Sequence, residues 1–100
     1  MKFCFRYTEA LTHEPYSAVL YSNRAIAHLR LGLHAKALVD VQKAISLKPK
    51  YIIANARKGT ILVKLGRIQD ARNHYQHCIK SLKPNSQFRE ALKALDAAKA

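Results

Sequence analysis

Asn23 and Arg57 stand 34 residues apart, and each begins a short row of side chains at helical spacing. The first row is Asn23, Ile26 and Arg30, with Val19 one turn before it. The second is Arg57, Thr60 and Lys64, preceded by Ile53. A floor of this composition suits a carboxylate. An Arg can grip both of its oxygens, an Asn can donate a third hydrogen bond, and a Lys adds a point charge.

Other candidate chemistries are poorly served. His74 and Cys78 are one helical turn apart and could supply half of a metal site, but no second half at ligand spacing follows. The six acids are spread along the chain and form no dyad, and no nucleophile stands beside an orienting base. The three glycines are isolated, so no phosphate-cradling loop is present. No enzymatic activity, no cofactor and no metal are expected.

The elements that must position the two rows follow from internal repetition at an offset of 34. Phe3, Ala37 and Ala71 share one register. Tyr7, Val41 and Tyr75 share another, Ala10, Ala44 and Cys78 a third, and Leu11, Ile45 and Ile79 a fourth. Leu31-Gly32 recurs as Leu65-Gly66, and Arg24-Ala25 as Lys58-Gly59. By register Cys78 is a small core residue, His28 a packing residue, and Tyr7 and Tyr75 core aromatics. Pro15 and Pro49 punctuate the units, with Pro84 one residue late. Apolar spacing predicts helices over 17–31 and 35–47, separated by a Gly turn. Arg24 is expected to bond Asp40 across that hairpin.

The pattern resembles the tetratricopeptide repeat family over roughly residues 1–85. It does so through the small residues Ala25 and Gly59, the alanines at 37 and 71, the aromatics Tyr7 and Tyr75, and Pro after each second helix. There are departures: Asn55 replaces the large residue that Tyr21 supplies, His28 and Leu62 stand where Tyr is usual, and Val41 replaces an aromatic. The resemblance implies an all-α, right-handed solenoid of antiparallel helix pairs in a single domain. Its parts would be the second helix of a truncated repeat (2–14), two repeats (17–49 and 51–84) and a capping helix (86–99). In that helix Ser86 is the N-cap, Phe88, Leu92 and Leu95 form the apolar stripe, and Arg89, Lys93, Asp96 and Lys99 face water. A chain starting half a unit in reads as a fragment or short isoform, and its uncovered first helix is a surface on which two copies could pair.

In this family the first helix of each repeat lines the concave surface, which implies a peptide-binding groove containing Asn23, Ile26, Arg30, Ile53, Arg57, Thr60 and Lys64. The strings Ser-Asn-Arg-Ala and Ala-Arg-Lys-Gly resemble the carboxylate clamp of heat-shock co-chaperones, which implies an acidic C-terminal chaperone tail as partner. The Lys that such a clamp carries one turn before the Arg falls at position 53, which is Ile here. That departure keeps a second reading open, a scaffold segment of a larger assembly that recognises no carboxylate.

Composition sets the remaining bounds. A formal charge of +12, from 18 Lys and Arg against 6 acids, favours an acidic partner. Those cations are scattered over helix faces with no interleaved aromatic platform, so nucleic acid is not the expected partner. Two distant cysteines, no Asn-x-Ser/Thr acceptor and no membrane-length apolar run point to the cytoplasm, with the nucleus as the alternative.

Overall fold

The computed structural model of the chain describes residues 2–82 and 86–99, and the side chains of 5–82 and 87–97. The register position of Phe3, the late Pro84 and the capping role of Ser86 lie outside the described residues and side chains. Six helices follow in order: α1 (Lys2–His13), α2 (Ala18–Arg30), α3 (His34–Leu47), α4 (Ile52–Lys64), α5 (Ile68–Ser81) and α6 (Ser86–Lys99). The described residues contain no strand.

Local sequence explains the boundaries. Ser17 caps α2 by accepting the Leu20 amide on its hydroxyl at 3.2 Å. The ends of α2 and α4 are built alike, on glycines with φ +78° at Gly32 and +77° at Gly66. Leu33 N–H donates to His28 O at 2.8 Å and Gly32 N–H to Leu29 O at 3.0 Å. Arg67 N–H donates to Leu62 O at 2.9 Å and Gly66 N–H to Val63 O at 3.0 Å. These paired bonds satisfy the last helical carbonyls, and only a residue without a Cβ takes the left-handed backbone at no steric cost. The chain therefore reverses at two equivalent places, and each reversal makes an antiparallel hairpin.

Consecutive helices pack on one another, and α2 also touches α4. This is an all-α helical repeat array, with extents of 43 × 28 × 16 Å. Its core runs along the seam through Ala25, Ala37, Val41, Ala44, Ala54, Ile61, Leu62, Ala71, Tyr75 and Cys78. Small residues let the helices approach closely; Gly59 is the extreme case, because a Cβ there would fall within the Tyr75 ring. At the far end Phe88, 1% exposed, packs its ring 6.5 Å from that of Tyr75. Leu95 is buried beside it and Leu92 half-buried, while Arg89, Lys93 and Asp96 are exposed. Arg72 pairs with Asp96 and so ties α5 to α6.

Polar groups inside the array are matched. Asp40, 2% exposed, accepts from Arg24 Nε at 3.0 Å and from Arg24 Nη2 at 2.7 Å, and lies 2.7 Å from His28 Nδ1. Register alone places His28 as a packing residue; it instead joins this charged cluster, because a buried carboxylate has more lone pairs than one guanidinium fills. Asn55 is buried too. Its amide donates to Pro49 O at 3.1 Å and Tyr51 O at 2.9 Å, so a polar side chain takes the position where the preceding unit has Tyr21.

Candidate functional site

Arg57 projects from α4 toward α2, where its Nη1 donates to Ser22 Oγ at 2.8 Å and to Asn23 Oδ1 at 3.2 Å. Ser22 is 0% exposed, so the guanidinium is anchored on a buried hydroxyl while the rest of it borders solvent. The contact also orients Asn23. A guanidinium only donates, so the amide turns its oxygen to Arg57 and is left with its NH2 group as a donor. One Nη1 of Arg57 is committed, and Nε and Nη2 remain for a ligand. Two equivalent helices thus present two adjacent sets of N–H donors.

The electrostatic setting is one that an anion would relieve. Partial burial holds Arg57 below the ordinary guanidinium pKa, with nearby Arg30 acting in the same direction and Tyr51 and Tyr7 opposing it. Tyr7 and Tyr51 are both half-buried beside the guanidinium. For Tyr7 this departs from the core position its register suggests. The physical reason is that α1 has α2 as its packing neighbour, whereas α3 and α5, which carry Val41 and Tyr75, each lie between two helices.

The remaining residues of the two rows are distributed unevenly. Arg30 and Lys64 are exposed at the ends of their helices, and Ile26 is half-buried. Val19 and Ile53, equivalent positions at the helix starts, are 48% and 50% exposed, which leaves apolar surface beside the donors. Thr60 donates to Ala56 O at 3.3 Å and its hydroxyl meets that of Tyr75. Thr60 and Lys64 also border an open, mostly apolar cavity of about 330 Å³ lined by Val63, Tyr75, Ala91, Ala94 and Leu95. The closest side-chain cluster is therefore Ser22, Asn23 and Arg57, with Arg30 near it. Lys64 lies along the same helix toward α6.

Ser22, Tyr7 and Tyr51 are participants that sequence reasoning missed. Ser22 aligns with Ala56 in the next unit, so periodicity gives it no signal; its adjacency to Asn23 on the row is the one clue. Among the described residues no group of three or more His, Cys, Asp or Glu is placed to hold a metal ion, and no helix is long and apolar enough to cross a membrane.

Comparison with known proteins gives concordant results. The tetratricopeptide repeat family profile matches residues 18–51 and 53–85. The chain is 34% identical over 90 residues to the protein SGT1 homolog of Oryza sativa subsp. japonica, covering 90% of this chain and 24% of that protein. It spans a quarter or less of the length of the curated relatives it matches. Among solved structures, the first repeat domain of Spaghetti bound to an HSP90 peptide, SRMEEVD, superposes with a TM-score of 0.83 at 28% identity, covering 95% of this chain and 75% of that one. The second repeat domain of the human RNA polymerase II-associated protein 3, in complex with the HSP70 peptide SGPTIEEVD, gives a TM-score of 0.82 at 28% identity, covering 93% of this chain and 78% of that one.

Proposed function

The chain belongs to the tetratricopeptide repeat family, and on that premise we propose that it is a non-catalytic protein-interaction module whose basic groove holds the acidic C-terminal tail of a partner polypeptide. The observation that carries this reading is the Arg57 bond to Asn23 Oδ1 and Ser22 Oγ, at 3.2 and 2.8 Å. It joins the first helices of two consecutive repeats and leaves unsatisfied N–H donors side by side, which is what a terminal carboxylate needs. Arg30 adds positive charge next to them, and Lys64 adds it further along α4. Val19 and Ile53 offer apolar contact to the residues that precede the carboxylate.

Two further observations support the proposal. The net charge of +12 favours acidic segments. Two structurally similar repeat domains carry peptides that end in the sequence EEVD. A chaperone tail is accordingly the first partner to test, in a cytoplasmic setting consistent with two widely separated cysteines. The contact residues on this reading are Asn23, Arg57, Arg30, Lys64, Ile26, Ile53 and Thr60, joined by Ser22 as the anchor of Arg57.

A second reading has one specific observation in its favour. Ile53 is 50% exposed at the position where a complete clamp would carry a Lys, and an apolar side chain there suits an internal helix or loop of a larger assembly. A fluorescence titration separates the two. An acidic peptide ending in a free Asp carboxylate should bind about tenfold or more tightly than its C-terminal amide. Equal affinity would reject tail recognition and favour the scaffold reading.

A further inference from the structure

The charged cluster of the first hairpin has a counterpart in the second, and the two differ in charge balance. Thr8, Arg24, His28 and Asp40 come together from α1, α2 and α3, with Arg24 Nη1 donating to Thr8 Oγ1 at 3.2 Å and Arg24 bound in two places to Asp40. The residues 34 positions on are Gln42, Lys58, Leu62 and His74, carried by α3, α4 and α5. All four line one open cavity of about 370 Å³, together with Arg67, Asp70, Asn73 and His77. The cation has been kept as Lys58. The carboxylate that neutralised it has become an imidazole.

The rest of the wall does not restore the balance. Asp70 is the acid on it among the described residues, and it accepts from Arg67 Nε at 2.8 Å. His74 donates through Nε2 to Asn55 O at 2.8 Å, which leaves Nδ1 as its remaining ring nitrogen. His77 contacts the Ser81 hydroxyl through Nδ1 at 3.4 Å, leaving Nε2. Burial pushes the His74 pKa down against the bond to Asn55 O, and Lys58 and His77 add to the lowering, so these groups sit close enough to repel one another when charged. In the first hairpin the equivalent cavity, about 290 Å³, contains Asp40 itself.

We propose that the cavity between α3, α4 and α5 is a binding site for a phosphoryl group, held by Lys58, His74 and His77 with Gln42 and Asn73 as neutral donors. Phosphate fits better than carboxylate. The donors are a point-like ammonium, the His77 imidazole and two amides, and His74, whose Nε2–H is committed to Asn55 O, joins them through Nδ1 only as the imidazolium that a bound anion stabilises. A set spread over three helices suits an anion with several acceptor oxygens; the guanidinium that would favour a two-oxygen carboxylate is engaged by Asp70. The site lies apart from Ser22, Asn23 and Arg57 and does not depend on the peptide reading.

The test follows the imidazole resonances of His74 and His77 by NMR while the whole chain is titrated with inorganic phosphate, a phosphoserine peptide, or acetate. Saturable shifts with phosphate, and binding of acetate weaker by about tenfold or more, are expected. Arg57→Ala should leave the response intact. Lys58→Met should weaken it about tenfold or more, and so should His74→Asp, read at His77, because it gives Lys58 the partner that Arg24 has. Tighter binding of the phosphoserine peptide than of free phosphate identifies a modified polypeptide as the source, and equal binding identifies the free ion. Absence of a saturable response in the unsubstituted chain, or unchanged affinity in a folded Lys58→Met variant, would overturn the proposal.

Discussion

The Tyr75 ring occupies the space that a Cβ on Gly59 would need, so α4 and α5 meet at that point through a missing side chain. Equivalent positions in the preceding hairpin are Ala25 and Val41, both 0% exposed. The two hairpins solve one packing problem with opposite distributions of volume. Ala at position 59 gains about 1 kcal/mol in helix preference, but overpacking costs about 1–3 kcal/mol or more. Because Tyr75 is itself braced by Phe88 with centroids 6.5 Å apart, the ring has little room to yield. Gly59→Ala should therefore lower the denaturant midpoint. In a Tyr75→Val background the same substitution should become neutral or stabilising, and additive effects of the two changes would contradict this account.

Arg57→Ala removes two of the donors assigned to the tail. Loss of charged hydrogen bonds of this kind costs about 1.5–3 kcal/mol, or about 10- to 150-fold in affinity. Calorimetric titration with an acidic, Asp-terminated peptide measures it. The amide form of the peptide should be nearly insensitive to the substitution, since it lacks the charge that Arg57 would meet.

Asp40 sits under Arg24 and His28 with 2% exposure. Removing one partner of a buried ion pair strands the other, so Asp40→Ala should destabilise the chain by about 3–5 kcal/mol. Urea unfolding followed by circular dichroism gives the value. A loss below about 1 kcal/mol would mean that solvent already screens the pair.

Burial pushes the Cys78 thiol up to about 11, with Lys58 opposing. Cys78 should thus resist thiol reagents at neutral pH in the folded chain and react on unfolding; a Cys4→Ser background isolates the signal. The pH consequence has a definite sign. The native thiol keeps its proton where the unfolded thiol loses it, so this group's contribution to stability is complete below the ordinary thiol pKa of 9.0 and declines as pH rises toward 11. A Cys78→Ala variant should lack that decline in its unfolding free energy between those pH values.

How much of this was legible in the sequence depended on how local the cause was. The 34-residue register, the Gly turns and the apolar spacing are local, and the helices expected at 17–31 and 35–47 are found at Ala18–Arg30 and His34–Leu47. The Arg24–Asp40 pair was also legible, since a hairpin brings those two positions face to face. Ser22 as the anchor of Arg57 was not, because it depends on the approach of α2 to α4, helices that are not adjacent in sequence. The half-burial of Tyr7 was equally hidden. Register assigns the type of position, whereas burial depends on whether a helix lies on each side of it. His28 was misread as packing for a related reason: periodicity reports polarity averaged over a face and says nothing of a carboxylate arriving from α3.

The anchoring of Arg57 on Ser22 also bears on the timing of recognition. A free arginine side chain carries about 2 kcal/mol of rotamer entropy, which an ordinary surface arginine surrenders only as its ligand arrives. Here much of that loss has occurred on folding, because Nη1 is already held at 2.8 Å from a buried hydroxyl. On the proposed reading the groove meets an incoming tail with its donors in place, so binding requires little rearrangement of the receptor, and the disorder to be given up belongs mainly to the tail.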